Sequence, residues 1–162
     1  MHKDLERFLG WIRPGELKEK VGEILEEVPL SNWAKKASKN HHPPDERGDW
    51  GNLIHTIRVL KVARFLSQHF GKSEDKAIAT SLLHDARRYG PDAEAEWTLK
   101  NHADMAADLA REHGLDEEIV EALKFHMSKW GTEYYCPELS LKDTIILADM
   151  IASQPWIEVN PR

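Results

Sequence analysis

The sequence predicts an all-α fold, a single helical bundle. Two observations predict it. Apolar residues recur at spacings of three and four along most of the chain, and no stretch alternates as a half-buried strand would. Between the periodic stretches stand helix breakers: Pro14-Gly15, Pro29, Gly71, Gly90-Pro91, Gly114 and Pro155. The 162 residues, 41% hydrophobic and 31% charged, suit one domain with a proper core.

Lys3 to Ile12 reads as a first helix, with Leu5, Phe8, Leu9 and Ile12 on one face. Glu16 to Val28 is a second, with Leu17, Val21, Ile24, Leu25 and Val28 apolar. Ser31 is expected to cap a shorter helix over Asn32 to Ser38. Residues 1–39 thus read as helical cover for a core over 40–153, with 154–162 as a tail, all within one domain, 1–162. Asn40 to Gly51 is a polar, Pro/Gly-rich loop containing His41-His42-Pro43-Pro44.

Asn52 to Phe70 is a long helix with His55, Val59, Val62 and Leu66 on one face, and Gly71 is its expected C-cap. Ser73 opens a helix that runs through Ile78 and Leu82 to His84-Asp85. A turn of helix over Asp92 to Trp97 is expected, then a helix over Asn101 to Glu112 with His102, Ala106 and Leu109 aligned. Asp116 caps a helix to His126, and Leu141 to Ser153 closes the set with Ile145, Asp149 and Ala152 on one face. This makes roughly eight helices with short links.

Charge and cysteine content narrow the function. The net charge of −6 argues against a general grip on nucleic-acid backbone but leaves small phosphorylated ligands open. The single Cys136 excludes an internal disulfide framework and suits a reducing cytoplasm. No apolar run approaches the roughly 20 residues of a membrane span. Met1-His2-Lys3-Asp4 carries no signal-peptide pattern.

Five helices each bring a His or Asp to an apolar face: His55, His84 with Asp85, His102, His126 and Asp149. One such histidine is ordinarily a hydrogen-bonded core residue. Six such groups facing inward would repel or desolvate one another unless cations sat between them. Helix bundles build metal sites in this way. Four imidazoles and two carboxylates suit Mn, Fe, Co, Ni or Zn ions. Six ligands suffice for two ions if a carboxylate bridges, and Asp85, beside His84, is the natural bridge.

The order His55, His84-Asp85, His102, His126, Asp149 resembles the HD-domain superfamily of metal-dependent phosphohydrolases. The local contexts are similar too: Leu53 to Val59, Ser81 to Asp85, His126 to Gly131 and Leu147 to Ser153. The likeness covers roughly Asn40 to Ser153. His41-His42-Pro43-Pro44 also resembles a loop of HD-type exoribonucleases. Many members follow the HD pair with a small residue, Gly and Lys. This chain has Ala86-Arg87-Arg88, so Arg88 falls where that Lys would be.

The resemblance implies a first metal held by His55, His84, Asp85 and Asp149, and a second held by His102 and His126 with Asp85 bridging. The expected activity is that of a phosphomonoesterase or phosphodiesterase acting on a nucleotide or similar small phosphoester, through a bridging hydroxide. A short RNA end would also fit. Arg88, with Arg58 and Lys129, would neutralise phosphate charge, and Trp130 could stack on a base. His41 or His42 could protonate the leaving group. Two other readings stand beside this one. Some HD-fold proteins are mixed-valence di-iron oxygenases with the same ligand types. A non-catalytic, metal-stabilised module that senses a nucleotide is the other. The sequence leaves the specific substrate, the metal and the oligomeric state open.

Overall fold

The computed structural model describes residues 1–34, 51–70, 73–89, 95–128, 139–154 and 156–159. Eight helices lie within these residues: α1 (Lys3–Leu9), α2 (Glu16–Glu27), α3 (Leu30–Ala34), α4 (Asn52–His69), α5 (Glu74–Leu83), α6 (Ala95–Glu112), α7 (Glu117–Phe125) and α8 (Leu141–Ala152). No extended strand occurs among the described residues, so the all-α expectation holds.

Most starts and stops follow the local chemistry. Ser73 accepts a hydrogen bond from the Lys76 amide and caps α5, and Ser140 does the same for α8 through the Asp143 amide. Gly114, at φ 66°, takes the left-handed conformation just past α6, where the Leu115 amide returns to the Ala110 carbonyl at 3.0 Å.

Two boundaries differ from expectation. Ser31 lies inside α3 rather than at its cap, because the helix already begins at Leu30, just after Pro29. The turn expected near Asp92–Trp97 and the helix expected from Asn101 are one helix, α6. No Gly or Pro interrupts Ala95 to Glu112, so nothing breaks it. The expected Gly71 cap and the loop carrying His41 and His42 lie outside the described residues, as do Lys129, Trp130 and Cys136.

Two helices form the axis of the core. In α5 every residue from Ala77 to Leu83 is buried. In α4 buried residues occur nearly all round, from Asn52 to Ser67. α4 packs on α5 and α8, and α7 packs on α6 and α8. α1 and α2 lie against α5, and α3 against α4. A helix apolar on all sides belongs at the centre of a bundle. This places the first turn of α4 and the last turns of α5, α7 and α8 around one interior point.

Candidate metal centre

Each ligand candidate stands where its helix meets that interior. His55 lies in the first turn of α4, His84 and His126 are the C-cap residues of α5 and α7, His102 is within α6, and Asp149 is in the last turn of α8. Asp85 begins the turn after α5, which closes through the Ala86 amide on the Leu83 carbonyl and the Arg88 amide on the Asp85 carbonyl. His55, His84, Asp85, His102 and His126 are all buried, with Asp149 partly so.

The six side chains fall into two groups. His55, His84 and Asp149 offer ligand atoms within 4.8 Å of one another, and so do Asp85, His102 and His126. The Asp85 carboxylate serves both. Its Oδ1 lies 3.2 Å from His102 Nε2 and 3.9 Å from His126 Nε2. Its Oδ2 lies 3.5 Å from His84 Nε2 and 3.7 Å from His55 Nε2. Asp149 Oδ1 closes on His55 Nε2 at 2.9 Å.

The imidazole tautomers follow from the backbone. His84 Nδ1 lies 2.7 Å from the Ser81 carbonyl, and His126 Nδ1 lies 2.6 Å from the Leu123 carbonyl. A carbonyl only accepts, so each Nδ1 carries the proton and each neutral ring turns an Nε2 lone pair inward. Metal-ligating histidines are held in this way. His84 Nε2 is buried with no hydrogen-bond partner, whereas His126 Nε2 is paired with His102 Nε2 at 3.2 Å. An inward lone pair without a donor is costly in an apolar interior, and a cation relieves it. The donor set therefore fits divalent metal ions.

Electrostatics favour the metal-binding forms of four of these groups. Burial lowers the His84 pKa. Burial, then the neighbouring His84, lowers His126 to about 4. Burial alone would raise Asp85, but His84, Arg88 and His102 outweigh it and hold the carboxyl well below its usual range. Asp149 is likewise lowered against burial, first by its hydrogen bond with His55. Neutral imidazoles and ionised carboxylates are the forms that bind metal.

Two cations expected at the site behave differently. Arg88 is buried and its Nη1 donates to Asp85 Oδ2 at 2.9 Å. Arg58 is also buried, but its guanidinium turns to the C-terminal segment. Nε donates to the Ala152 carbonyl at 3.0 Å, and Nη2 to Gln154 and Ile157 at 3.1 and 2.9 Å. Nη1 reaches the Val159 carbonyl at 3.4 Å. Arg58, expected from the sequence to neutralise phosphate charge, clamps the end of α8 here. The negative end of the helix dipole and the open carbonyls there favour a guanidinium fork. Arg58→Ala is expected to lower stability by about 2 kcal/mol in urea denaturation. Arg58→Lys should recover little of that, since an ammonium lacks the fork.

The sequence reading missed Asn32 and Asn52. The Nδ2 groups of both donate to the Asp85 carbonyl, at 3.1 and 3.2 Å. Neither residue breaks the helical periodicity, so only a polar residue at a buried position could have marked them.

The family described as HD domain matches residues 52–153. Ribonuclease Y of Mesoplasma florum is 26% identical over 141 residues, covering 85% of this chain and 26% of that protein. The symmetrical bis(5'-nucleosyl)-tetraphosphatase of Bacillus subtilis is 29% identical over 92 residues, covering 46% of this chain and 50% of that protein. Ribonuclease Y of Thermotoga maritima is 34% identical over 74 residues, covering 46% and 14%. The chain thus spans half or less of the length of these relatives. No helix among the described residues is long and apolar enough to cross a membrane.

Proposed function

The chain belongs to the HD domain family, and from that premise we propose that it is a metal-dependent phosphohydrolase with a dinuclear centre. The observation that carries this is the Asp85 carboxylate, whose two oxygens face two different ligand groups. His55, His84 and Asp149, with Asp85 Oδ2, would hold one ion, and His102 and His126, with Asp85 Oδ1, the other. Mn, Fe, Co, Ni and Zn all suit this donor set. Bound there, two divalent ions would supply an acidified water and neutralise phosphoryl oxygens.

The protein's own groups do the rest. The Ser81 and Leu123 carbonyls fix the imidazole rings, so the ligands need little reorganisation on binding. Arg88 brings a fixed positive charge to the bridging carboxylate and complements a phosphate at the same place. Arg58 is left out of the phosphate site, because its donors go to the tail. Three further roles rest on the sequence pattern alone: His41 or His42 as proton donor to the leaving group, Lys129 as a phosphate contact, and Trp130 as a stacking surface for a base.

A nucleotide is the substrate class we favour. Two of the relatives are named for RNA and for a bis(5'-nucleosyl) tetraphosphate, and both compounds carry nucleotide phosphates. The net charge of −6 weighs toward small nucleotides over long strands, with a short RNA end still compatible. The test is phosphate or nucleoside release from mono-, di-, cyclic and dinucleoside phosphates by metal-loaded protein, with Asp85→Ala as control. Turnover that requires added Mn²⁺, Co²⁺ or Ni²⁺ and disappears in the control is expected. Silence across the panel, with iron bound and oxygen consumed, would instead indicate a di-iron oxygenase. Nucleotide binding without turnover would indicate a sensing module.

A further inference from the structure

The HD match begins at residue 52, so α1 to α3 lie outside it. Yet the Asp85 turn is held from α3. Asn32 is fully buried and grips that turn at both ends. Its Nδ2 donates to the Asp85 carbonyl at 3.1 Å, and its Oδ1 accepts from the Tyr89 amide at 2.7 Å. Asn52, also fully buried, donates from Nδ2 to the Asp85 carbonyl at 3.2 Å and to the Asn32 backbone carbonyl at 3.1 Å.

With the Arg88 amide at 3.2 Å, three donors converge on the carbonyl of Asp85. Burying two carboxamides carries a desolvation cost that an apolar pair of similar volume would avoid. What the carboxamides add is direction. The three donors fix the peptide plane at Asp85, and Asn32 fixes the turn from Asp85 to Tyr89 that carries Arg88. A carboxylate that must present one oxygen to each of two ligand groups depends on that orientation.

We propose that Asn32, assisted by Asn52, is a positioning residue of the metal centre. It sets the Asp85 carboxylate between the two ligand groups, and α3 is therefore a working part of the site rather than cover. This rests on the reading that Asp85 ligates metal.

The test is equilibrium Mn²⁺ binding to the metal-stripped 162-residue chain, by calorimetry and chelator competition, with thermal unfolding of the metal-free forms alongside. Asn32→Ala removes both side-chain bonds. Asn32→Leu removes the same bonds with a side chain of similar volume and no added charge, so it reads the same quantity should the alanine variant not fold. Ile24→Ala, in the buried face of α2, is the stability control.

Both Asn32 variants are expected to bind Mn²⁺ about 10- to 100-fold more weakly. Ile24→Ala should lower the melting temperature and leave affinity within about two-fold of the parent, because distant sites act independently. Parent-like affinity in Asn32→Leu would overturn the proposal. So would an equal loss in Ile24→Ala, which would make the effect one of stability. If the parent chain itself binds no metal, the dinuclear reading fails first, and that outcome is distinct from the other two.

Discussion

Asp85→Ala is expected to abolish the proposed metal-dependent hydrolysis and to destabilise the metal-free protein by about 3–5 kcal/mol. The two effects have different origins. Activity would be lost because the two oxygens of this carboxylate face both groups, so its removal would take a ligand from each at once. Stability is lost because Arg88 is buried against Asp85 Oδ2 at 2.9 Å and would be left as an uncompensated charge. A second substitution separates them. Adding Arg88→Met to Asp85→Ala removes the stranded guanidinium and should recover most of the stability while restoring no activity. Urea denaturation reads the first quantity, and product release with saturating Mn²⁺ reads the second. A double variant as unstable as Asp85→Ala would show that the pair is not what links the two residues.

The helices and the six ligand candidates were legible because both follow from one periodicity. A side chain such as His126 or Asp149 that falls in register with Ile119 and Leu123, or with Ile145 and Ala152, must face the same interior as they do. A helix start was legible where a side chain makes the cap, as at Ser73. Ser31 misled because it has a cap's chemistry while the preceding Pro29 had already set the start.

What periodicity cannot carry is the identity of a partner. Arg58 sits about 60° round α4 from His55. That angle is compatible with the site or with the end of α8, and only the position of the Ala152 to Val159 carbonyls decides between them. Asn32 was illegible for a related reason. Its partners are backbone atoms more than fifty positions away, and a backbone carbonyl leaves no mark in residue types.

Acid is expected to loosen the metal-free protein in two stages, the first of them above the usual carboxylate range. His126 has a folded pKa of about 4 against 6.5 when unfolded, and burial lowers His84 as well. Between those limits the unfolded chain binds protons that the native state refuses. Stability is therefore fully present above about pH 6.5 and falls as the pH drops through that window. His126 alone accounts for about 3 kcal/mol of the loss, with His84 adding in the same direction. The second stage lies lower. Asp85 and Asp149 are held below their ordinary values, so their contribution persists until the pH falls beneath about 4 and is lost through their folded pKa values. Urea unfolding of metal-free protein at pH 8, 6.5, 5 and 4 measures the first stage. His126→Asn should flatten it by about the His126 share. A curve already flat from pH 6.5 to 4 would mean that the imidazoles are not held neutral in the interior. Added Mn²⁺ should raise stability most at pH 8 and steepen the fall into acid. An ion held by His84 and His126 would keep protons off those two rings until it leaves, so the same neutral rings that make the apo interior acid-labile would preorganise it for the ion.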